Sequence, residues 1–301
     1  MQYIIILFIN FLFCQEAIYF NGQRAKDLID YQCSFGPRYP GSEGHQQFAD
    51  SLKVFLDRLV DMNIVYQDTI FSPISNKKVQ ITNMLARFNP RASNRIMFLA
   101  HWDTREFADK DENIDFRKRP VLGANDGASG VSVLMTLAEM LSDNPPINIG
   151  VDLLFLDAED MGTYGDPDSW GLGTKSFSKH LKKPYPRYAV CLDMIADKDQ
   201  EFLIEGFSYR YAPDIVRKVW NLANDLGYNQ FKYVLGQSII DDHYVLFKNT
   251  GIPSIDIIDF QYPNSSKNYW HTIEDTPDKC SAKSLEAVGT VIATLIYNED
   301  K

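Results

Sequence analysis

The chain has 301 residues and a formal net charge of -10, with 45% hydrophobic and 23% charged residues. This composition is typical of a soluble globular protein, and a chain near 300 residues can bury roughly 75% of the surface that its unfolded form exposes. The negative charge argues against nucleic acid as a partner, because phosphates require a basic protein surface.

The first 19 residues have the features of a targeting segment. Residues 3–14 are apolar except for Asn10. This run is shorter than the roughly 20 residues of a membrane-spanning helix, but it has the length of the apolar region of a signal peptide. No Lys or Arg precedes the run and no A-x-A cleavage site follows it, so tethering to a membrane, including through a lipid on Cys14, stays open beside cleavage. We expect residues 1–19 to be a signal peptide or N-terminal anchor of an exported (secreted or periplasmic) protein, and residues 20–301 to form a single domain.

The four cysteines form neither a close pair nor a zinc-finger pattern. They are Cys14, Cys33, Cys191 and Cys280. Cys191 lies within the apolar stretch YAVCLDMI, which predicts a buried thiol. In an exported chain, Cys33 and Cys280 are candidates for a disulfide.

The first half of the chain predicts one helix followed by three strands. The helix is predicted in GSEGHQQFADSLKVFLDRLVDM, with Ser42 as its N-cap. Its apolar residues at helical spacing are Phe48, Leu52, Phe55, Leu56 and Leu59. The three strand-like segments are NIVYQDTIF, VQITNMLARF and NRIMFLAHW.

In the second half, strands and helices alternate. The predicted strands are NIGVDLLFLDAED, RYAVCLDMI and IPSIDIID. The predicted helices are GASGVSVLMTLAEML, PDIVRKVWNLANDLG and AKSLEAVGTVIATLIY. Strands that alternate with helices indicate an α/β fold, and we expect a three-layer sandwich with a mixed, mainly parallel central sheet.

Acidic and imidazole side chains recur where the predicted strands end. Those that directly follow an apolar strand are His101, Asp103, Asp157, Glu159, Asp160 and Asp193. Asp126 lies in the loop VLGANDGASG, and His271 lies in the loop after the strand SIDIIDF. Because ligands bind outside the carboxyl ends of the strands in open α/β sheets, we expect these side chains to meet at one edge.

Each of these residues alone has an ordinary structural explanation. An aspartate after a strand is usually a turn or capping residue, and Asp126 could cap the helix that follows it. His101 and Trp270 could belong to the core. Together, however, so many acids at one edge would repel one another strongly unless a cation lay among them. Nitrogen and oxygen ligands without cysteine suit Zn²⁺.

Six motifs in order carry a resemblance to a known family. They are AHWDTR, GANDGASG, LDAEDMG, LDMIAD, IIDDH and YWHTIEDT. In this order they resemble the zinc aminopeptidase (M28-like) clan, and within it the glutaminyl-peptide cyclotransferase (glutaminyl cyclase) branch, to which FGPRYPGSEGH is also similar. The resemblance covers about residues 30–297 and implies a zinc exopeptidase-like fold and a zinc-dependent catalytic domain.

The resemblance implies one zinc ion per chain and three ligands for it. The ligands are Asp126 of the ND loop, Asp160 as the second member of the paired acids, and His271 of the WH motif. The pair here is Glu-Asp, whereas the commoner family pattern is Glu-Glu. Because Asp160 is one methylene shorter, we expect it to bind through a shifted backbone or in a different mode.

The resemblance also implies a reaction. In it, the α-amine of an N-terminal glutamine of a peptide or protein attacks its own γ-carbonyl, forming pyroglutamate and releasing ammonia. Glu159 would act as general acid and base, and zinc would polarise the carbonyl. An enclosed apolar pocket would assist, and its candidate walls are Trp270, Trp102, Trp170 and Phe260.

Two alternatives remain open at the level of sequence. A two-zinc aminopeptidase would use the same ligands and add His101 and Asp193 for a second metal. Asp241 of IIDDH favours the cyclase, because the aminopeptidases commonly carry serine there, and an extra acid near Asp193 suits a proton-sharing pair. A non-catalytic binding protein of the same fold is the second alternative, against which Glu159 beside a full ligand set argues.

Overall fold

The computed structural model describes residues 17–301. The predicted targeting segment therefore lies outside the described residues, except for positions 17–19. Within the described part, no helix combines the length and the apolar character needed to cross a membrane. Soon after the described part begins, Phe20 is fully buried in the core.

Helices and strands alternate along most of the described chain. The helices are α1 (Gly22–Cys33), α2 (Glu43–Asp57), α3 (Ala128–Asp143), α4 (Leu172–His180), α5 (Gly206–Tyr211), α6 (Pro213–Asp225), α7 (Asp242–Thr250) and α8 (Ala282–Glu299). The strands are β1 (Met62–Phe71), β2 (Lys78–Phe88), β3 (Arg95–His101), β4 (Gly150–Leu156), β5 (Ala189–Asp193), β6 (Phe202–Ile204), β7 (Phe231–Leu235), β8 (Ser254–Ile258), β9 (Pro263–Asn264) and β10 (Lys267–Asn268). The helices and strands predicted from the sequence are confirmed. The prediction had omitted several helices, among them α1, α4 and α5. α1 begins after Asn21, whose side chain caps it by accepting from Arg24 N at 2.9 Å.

The central sheet has six strands in the order β1-β2-β4-β3-β5-β8. β1 pairs with β2, and β2 with β4, in antiparallel fashion. The remaining neighbours, β4 with β3, β3 with β5 and β5 with β8, are parallel. This arrangement confirms the predicted mixed, mainly parallel sheet.

Side chains of the central strands alternate between two apolar layers, because successive residues of a strand face opposite sides. On β3, Phe98 belongs to the larger core cluster, which includes residues of α1, α2, α3, α6 and α8. Its neighbour Leu99 belongs to a second cluster with Phe177 of α4 and Leu246 of α7. Helices therefore cover both faces, which confirms the three-layer sandwich.

The three cysteines of the described residues carry free thiols. The candidate disulfide between Cys33 and Cys280 is therefore not formed in this structure. Cys191 is buried, as predicted, and burial raises the pKa of its thiol well above the usual value.

Candidate metal centre and active site

The three residues predicted to bind metal lie together at the carboxyl edge of the sheet. Asp126 precedes α3, Asp160 lies in the loop after β4, and His271 lies between β10 and α8; all three are buried. The Nε2 atom of His271 lies 2.9 Å from Asp160 Oδ1 and 3.5 Å from Asp126 Oδ2. Folding thus brings together three side chains that are far apart in sequence.

Two oxygens of this group have no hydrogen-bond donor among the described residues. They are Oδ2 of Asp126 and Oδ2 of Asp160, and both are buried. Burial and the charge of Asp160 raise the pKa of Asp126 to about 7. A buried carboxylate oxygen without a partner is costly, and a cation would supply that partner. A donor set of one imidazole and two carboxylates fits Zn²⁺.

A second imidazole lies beside the same carboxylates. His101 Nε2 is 3.1 Å from Asp126 Oδ1 and 3.2 Å from Asp193 Oδ1. Ligand atoms of His101, Asp126 and Asp160 also lie within 4.8 Å of one another. The residues that a two-metal site would require are therefore close together in the structure as well as present in the sequence.

Two further aspartates hold the backbone of the ligand loops. Asp103 accepts from Glu159 N at 3.0 Å and from Asp160 N at 3.1 Å. Asp275 accepts from Asp126 N at 3.2 Å. The sequence identifies Asp103 only as an acid that follows a strand, and it predicts no role for Asp275. Its place in the YWHTIEDT motif was the signal that could have identified it.

The outer nitrogen of His271, Nδ1, faces a polar cluster that the sequence does not predict. Tyr164 Oη lies 3.0 Å from His271 Nδ1, and Asp109 Oδ1 lies 3.6 Å from the same atom. Arg105 donates to Asp109 Oδ2 at 2.7 Å and to the backbone oxygen of Asp160 at 2.6 Å. Arg105 thereby links the loop of one candidate ligand to a partner of another, and such outer partners fix the orientation of metal-bound histidines.

Residues with left-handed backbone cluster at this edge. Ala158, Met194 and His271 have φ values of 56°, 47° and 55°. This region is sparsely populated by non-glycine residues, and residues held there concentrate at functional sites. Ala158 and Met194 follow the ends of β4 and β5, and His271 is itself a candidate ligand.

Glu159 lines a cavity of about 280 Å³ together with Asp126 and Asp160. Its side chain is buried, and this burial, reinforced by the charges of Asp241 and Asp160, raises the pKa of Glu159 well above the usual value. A carboxyl group perturbed in this way beside a metal-binding set is suited to carry a proton.

Aromatic side chains form much of the wall of this cavity. Trp170, Trp270 and Phe260 line it, as the sequence predicted, and Tyr164 joins them. The ring centroids of Trp270 and His271 are 4.0 Å apart, in a stacked arrangement. The cavity therefore combines an apolar wall with the candidate metal centre.

The prediction that Trp102 also lines the pocket is wrong. Its ring is fully buried, stacks on His45 with centroids 4.5 Å apart, and donates from Nε1 to the backbone oxygen of Thr82. Trp102 lies between His101 and Asp103, whose side chains face the candidate metal centre or its supporting loop. Because side chains alternate along extended backbone, Trp102 points the opposite way.

Asp193 and Asp241 both line the cavity. Burial raises the pKa of Asp193 to about 6, and the charge of Asp241 adds to this effect while His101 opposes it. The side chain of Asp241 caps α7 by accepting from Asp242 N, and a carboxylate oxygen of Asp241 lies within 4.8 Å of one of the buried Asp256. Asp241 thus faces the interior, as predicted, and Asp256 is a second buried acid close to it. Proton sharing between Asp193 and Asp241 stays a prediction.

Comparisons with known proteins place this geometry in a family. The family model for peptidase family M28 matches residues 83–296. A crystal structure of a glutaminyl cyclase from Bacteroides thetaiotaomicron is 32% identical, with a TM-score of 0.89 over 94% of this chain and 99% of that chain. A leucine aminopeptidase precursor from the same organism is 33% identical, with a TM-score of 0.88 over 94% of this chain and 99% of that one. The glutaminyl-peptide cyclotransferase of Bothrops jararaca is 22% identical over 290 residues, which are 86% of this chain and 76% of the relative.

The family match covers most of the chain, and the structural matches extend over nearly all of it. They confirm the zinc exopeptidase-like fold that the motifs predicted, and they include both activities between which the sequence left a choice. The chain belongs to peptidase family M28 and, within it, resembles the glutaminyl cyclases.

Proposed function

We propose that this protein is a zinc-dependent glutaminyl-peptide cyclotransferase acting on peptides or proteins with an N-terminal glutamine. The observation that carries the proposal is the buried carboxyl of Glu159 beside a His-Asp-Asp set with two unpartnered carboxylate oxygens, in a cavity lined by tryptophans. The buried Asp241, at the position where the sequence separates cyclases from aminopeptidases, supports the same choice.

The metal would be held by Asp126, Asp160 and His271. When bound there, Zn²⁺ supplies a Lewis acid that polarises the γ-carbonyl of the substrate glutamine. Proton transfer and substrate positioning are carried out by side chains of the protein.

Glu159 would move the proton. As the α-amine nitrogen forms its bond to the γ-carbonyl carbon, Glu159 accepts a proton from that nitrogen. The bond between this carbon and the amide nitrogen then breaks, and Glu159 returns the proton to the departing nitrogen, which leaves as ammonia. Atoms and charge balance without a water molecule.

The aromatic wall favours cyclisation over hydrolysis. Trp170, Trp270 and Phe260 surround the space next to Glu159. An apolar wall leaves little room for an attacking water and holds the amine close to its own side chain, which makes the intramolecular attack efficient.

The two-zinc aminopeptidase is retained as the second candidate because of one observation. His101 Nε2 lies within 3.2 Å of carboxylate oxygens of both Asp126 and Asp193. These three residues would supply the second metal site of such an enzyme.

An ammonia-release assay on a Gln-initiated peptide, run beside a chromogenic aminoacyl substrate, tests the choice. We expect ammonia from the peptide with no release of a free amino acid. Cleavage of the chromogenic substrate without ammonia from the peptide would instead establish the aminopeptidase.

Replacing Arg105 with methionine should lower the affinity for zinc about 10- to 100-fold, the usual effect of removing an outer partner of a metal ligand. The variant loses the donor that links Asp109 to the backbone oxygen of Asp160. Zinc affinity measured by competition with a chelator checks this, and Arg119→Met, on the same loop and exposed, is the matched control. Equal affinities in the two variants would contradict a positioning role.

A further inference from the structure

A second cavity opens beside the one that contains Glu159, and it is larger. Its volume is about 530 Å³, within the range of ligand sites in proteins, against about 280 Å³ for the first. The two share four lining residues, which are Gln237, Ile239, Ile258 and Phe260. They are therefore neighbouring parts of one groove.

The proposed reaction requires such a space. The first cavity would hold the N-terminal glutamine next to Glu159, but the peptide chain after the glutamine must leave it. A groove that continues through shared walls offers that exit. At about 3.5 Å per extended residue, a cavity of this size accommodates roughly three residues.

The lining of the second cavity is acidic. Its charged residues are Asp199, Glu201, Glu205 and Asp259, and its described lining contains no Lys, Arg or His. Leu203 and Pro263 add apolar surface, on which the aliphatic part of a long side chain can lie.

The four carboxylates are not equally available. Glu205 contacts His243 at 2.9 Å and accepts from backbone nitrogens. Asp259 accepts from Glu201 N and Gln261 N, and burial raises its pKa to about 6.

Asp199 and Glu201 remain as the groups able to meet a substrate charge. Lys232 lies 4.0 Å from Glu201, but both side chains are largely exposed, and an exposed pair at this separation is weak. A substrate cation can therefore compete with Lys232 for this carboxylate.

We propose that the second cavity binds the residues that follow the N-terminal glutamine and selects peptides with a Lys or Arg among the first three of them. The inference rests on the proposed cyclase function. Asp199 and Glu201 set the preference for a positively charged residue. Because Phe260 lines both cavities, a peptide bound in the second cavity can place its N-terminal glutamine in the first.

The test uses peptides of the form Gln followed by three residues and a C-terminal amide. The three positions are all alanine, or carry one Lys or one Glu at each position in turn, and ammonia release gives kcat/KM. At low ionic strength we expect the best Lys peptide to exceed its Glu counterpart about tenfold, with the difference shrinking as salt is added. In the combined Asp199→Asn and Glu201→Gln variant, the kcat/KM of the Lys peptide should fall to about that of its Glu counterpart.

A matched control removes two charges elsewhere. The combined Asp214→Asn and Asp225→Asn variant changes exposed residues of α6 that do not line the cavity, so its preference should equal that of the unmodified protein. No ammonia from any peptide would overturn the proposed function itself. Ammonia from all peptides at similar rates, a preference for Glu, or a Lys preference that survives in the Asp199 and Glu201 variant would each overturn this inference alone.

Discussion

Replacing Glu159 with glutamine is expected to lower kcat for ammonia release about 10²- to 10⁴-fold, the range contributed by a positioned proton carrier. Glutamine keeps the size of the side chain and cannot accept the proton of the attacking amine. Because Glu159 N is held by Asp103, the loop should keep its position and the metal should stay bound. The measurements are the rate of ammonia release and the zinc content of the purified variant.

Two matched variants separate the role of Glu159 from that of its neighbours. Asp160→Asn should lose metal and activity together, because Asp160 is a candidate ligand. Glu112→Gln, an exposed acid on the loop before Asp126, should change neither. A Glu159→Gln variant that kept its activity within about threefold would show that another group moves the proton.

Much of the fold was predictable because its signals are local. The apolar runs of β3, β4, β5 and β8 and the helices between them indicate a parallel sheet, and the carboxyl ends of such strands meet at one edge. Placing Asp126, Asp160 and His271 together required only this rule and the family motifs. The short pair β6 and β7 was not predicted, since three to five residues give too little periodicity.

The contacts that support the site could not be predicted from local sequence signals. Asp103 meets Glu159 N across 56 positions of sequence, and Arg105 meets the backbone oxygen of Asp160 across 55. Contacts between a side chain and a distant backbone atom leave no periodic pattern. The error at Trp102 has a local cause instead: residue type suggested a pocket wall, whereas the alternation set by His101 directs the ring to the other side.

The buried acids near Asp241 show how a sequence can suggest charge repulsion that the fold relieves. His243, from the same helix, lies 2.9 Å from Glu205 and 3.5 Å from Asp256. Burial raises the pKa of Asp256 well above the usual value, which favours its uncharged, protonated form. A neutral Asp256 reduces the negative charge that would otherwise be buried beside Asp241.

Removing the metal with a chelator should reduce ammonia release about a thousandfold or more, and one equivalent of Zn²⁺ per chain should restore it. Polarisation of a carbonyl by a metal contributes several kcal/mol, and each 1.36 kcal/mol corresponds to about a tenfold change in rate. The two unpartnered oxygens are Oδ2 of Asp126, which lies 3.5 Å from His271 Nε2, and Oδ2 of Asp160. Both of these oxygens belong to the three predicted ligands, so we expect one tightly bound ion.

Two histidine variants test how many zinc ions each chain binds. His271→Gln should abolish zinc binding, whereas His101→Gln should retain one zinc per chain. Two tightly bound zinc ions in the unmodified protein, falling to one in His101→Gln, would establish the two-metal site and return the aminopeptidase to first place.

The same metal site should show a defined pH dependence. Burial opposes protonation of His271, but Asp160, Asp109 and Asp126 outweigh it and raise its pKa to about 9. Zinc must displace this proton in order to bind, so the apparent affinity should fall roughly tenfold for each pH unit between 9 and 7, and more steeply below 7, where Asp126 is protonated as well. An Asp109→Asn substitution removes one of the carboxylates that stabilise the protonated imidazole. It should therefore lower the pKa of His271 and make the apparent zinc affinity depend less on pH near neutrality. Zinc titrations at several pH values measure the slope, and an affinity independent of pH between 6 and 9 would exclude His271 as the group that exchanges its proton for the metal.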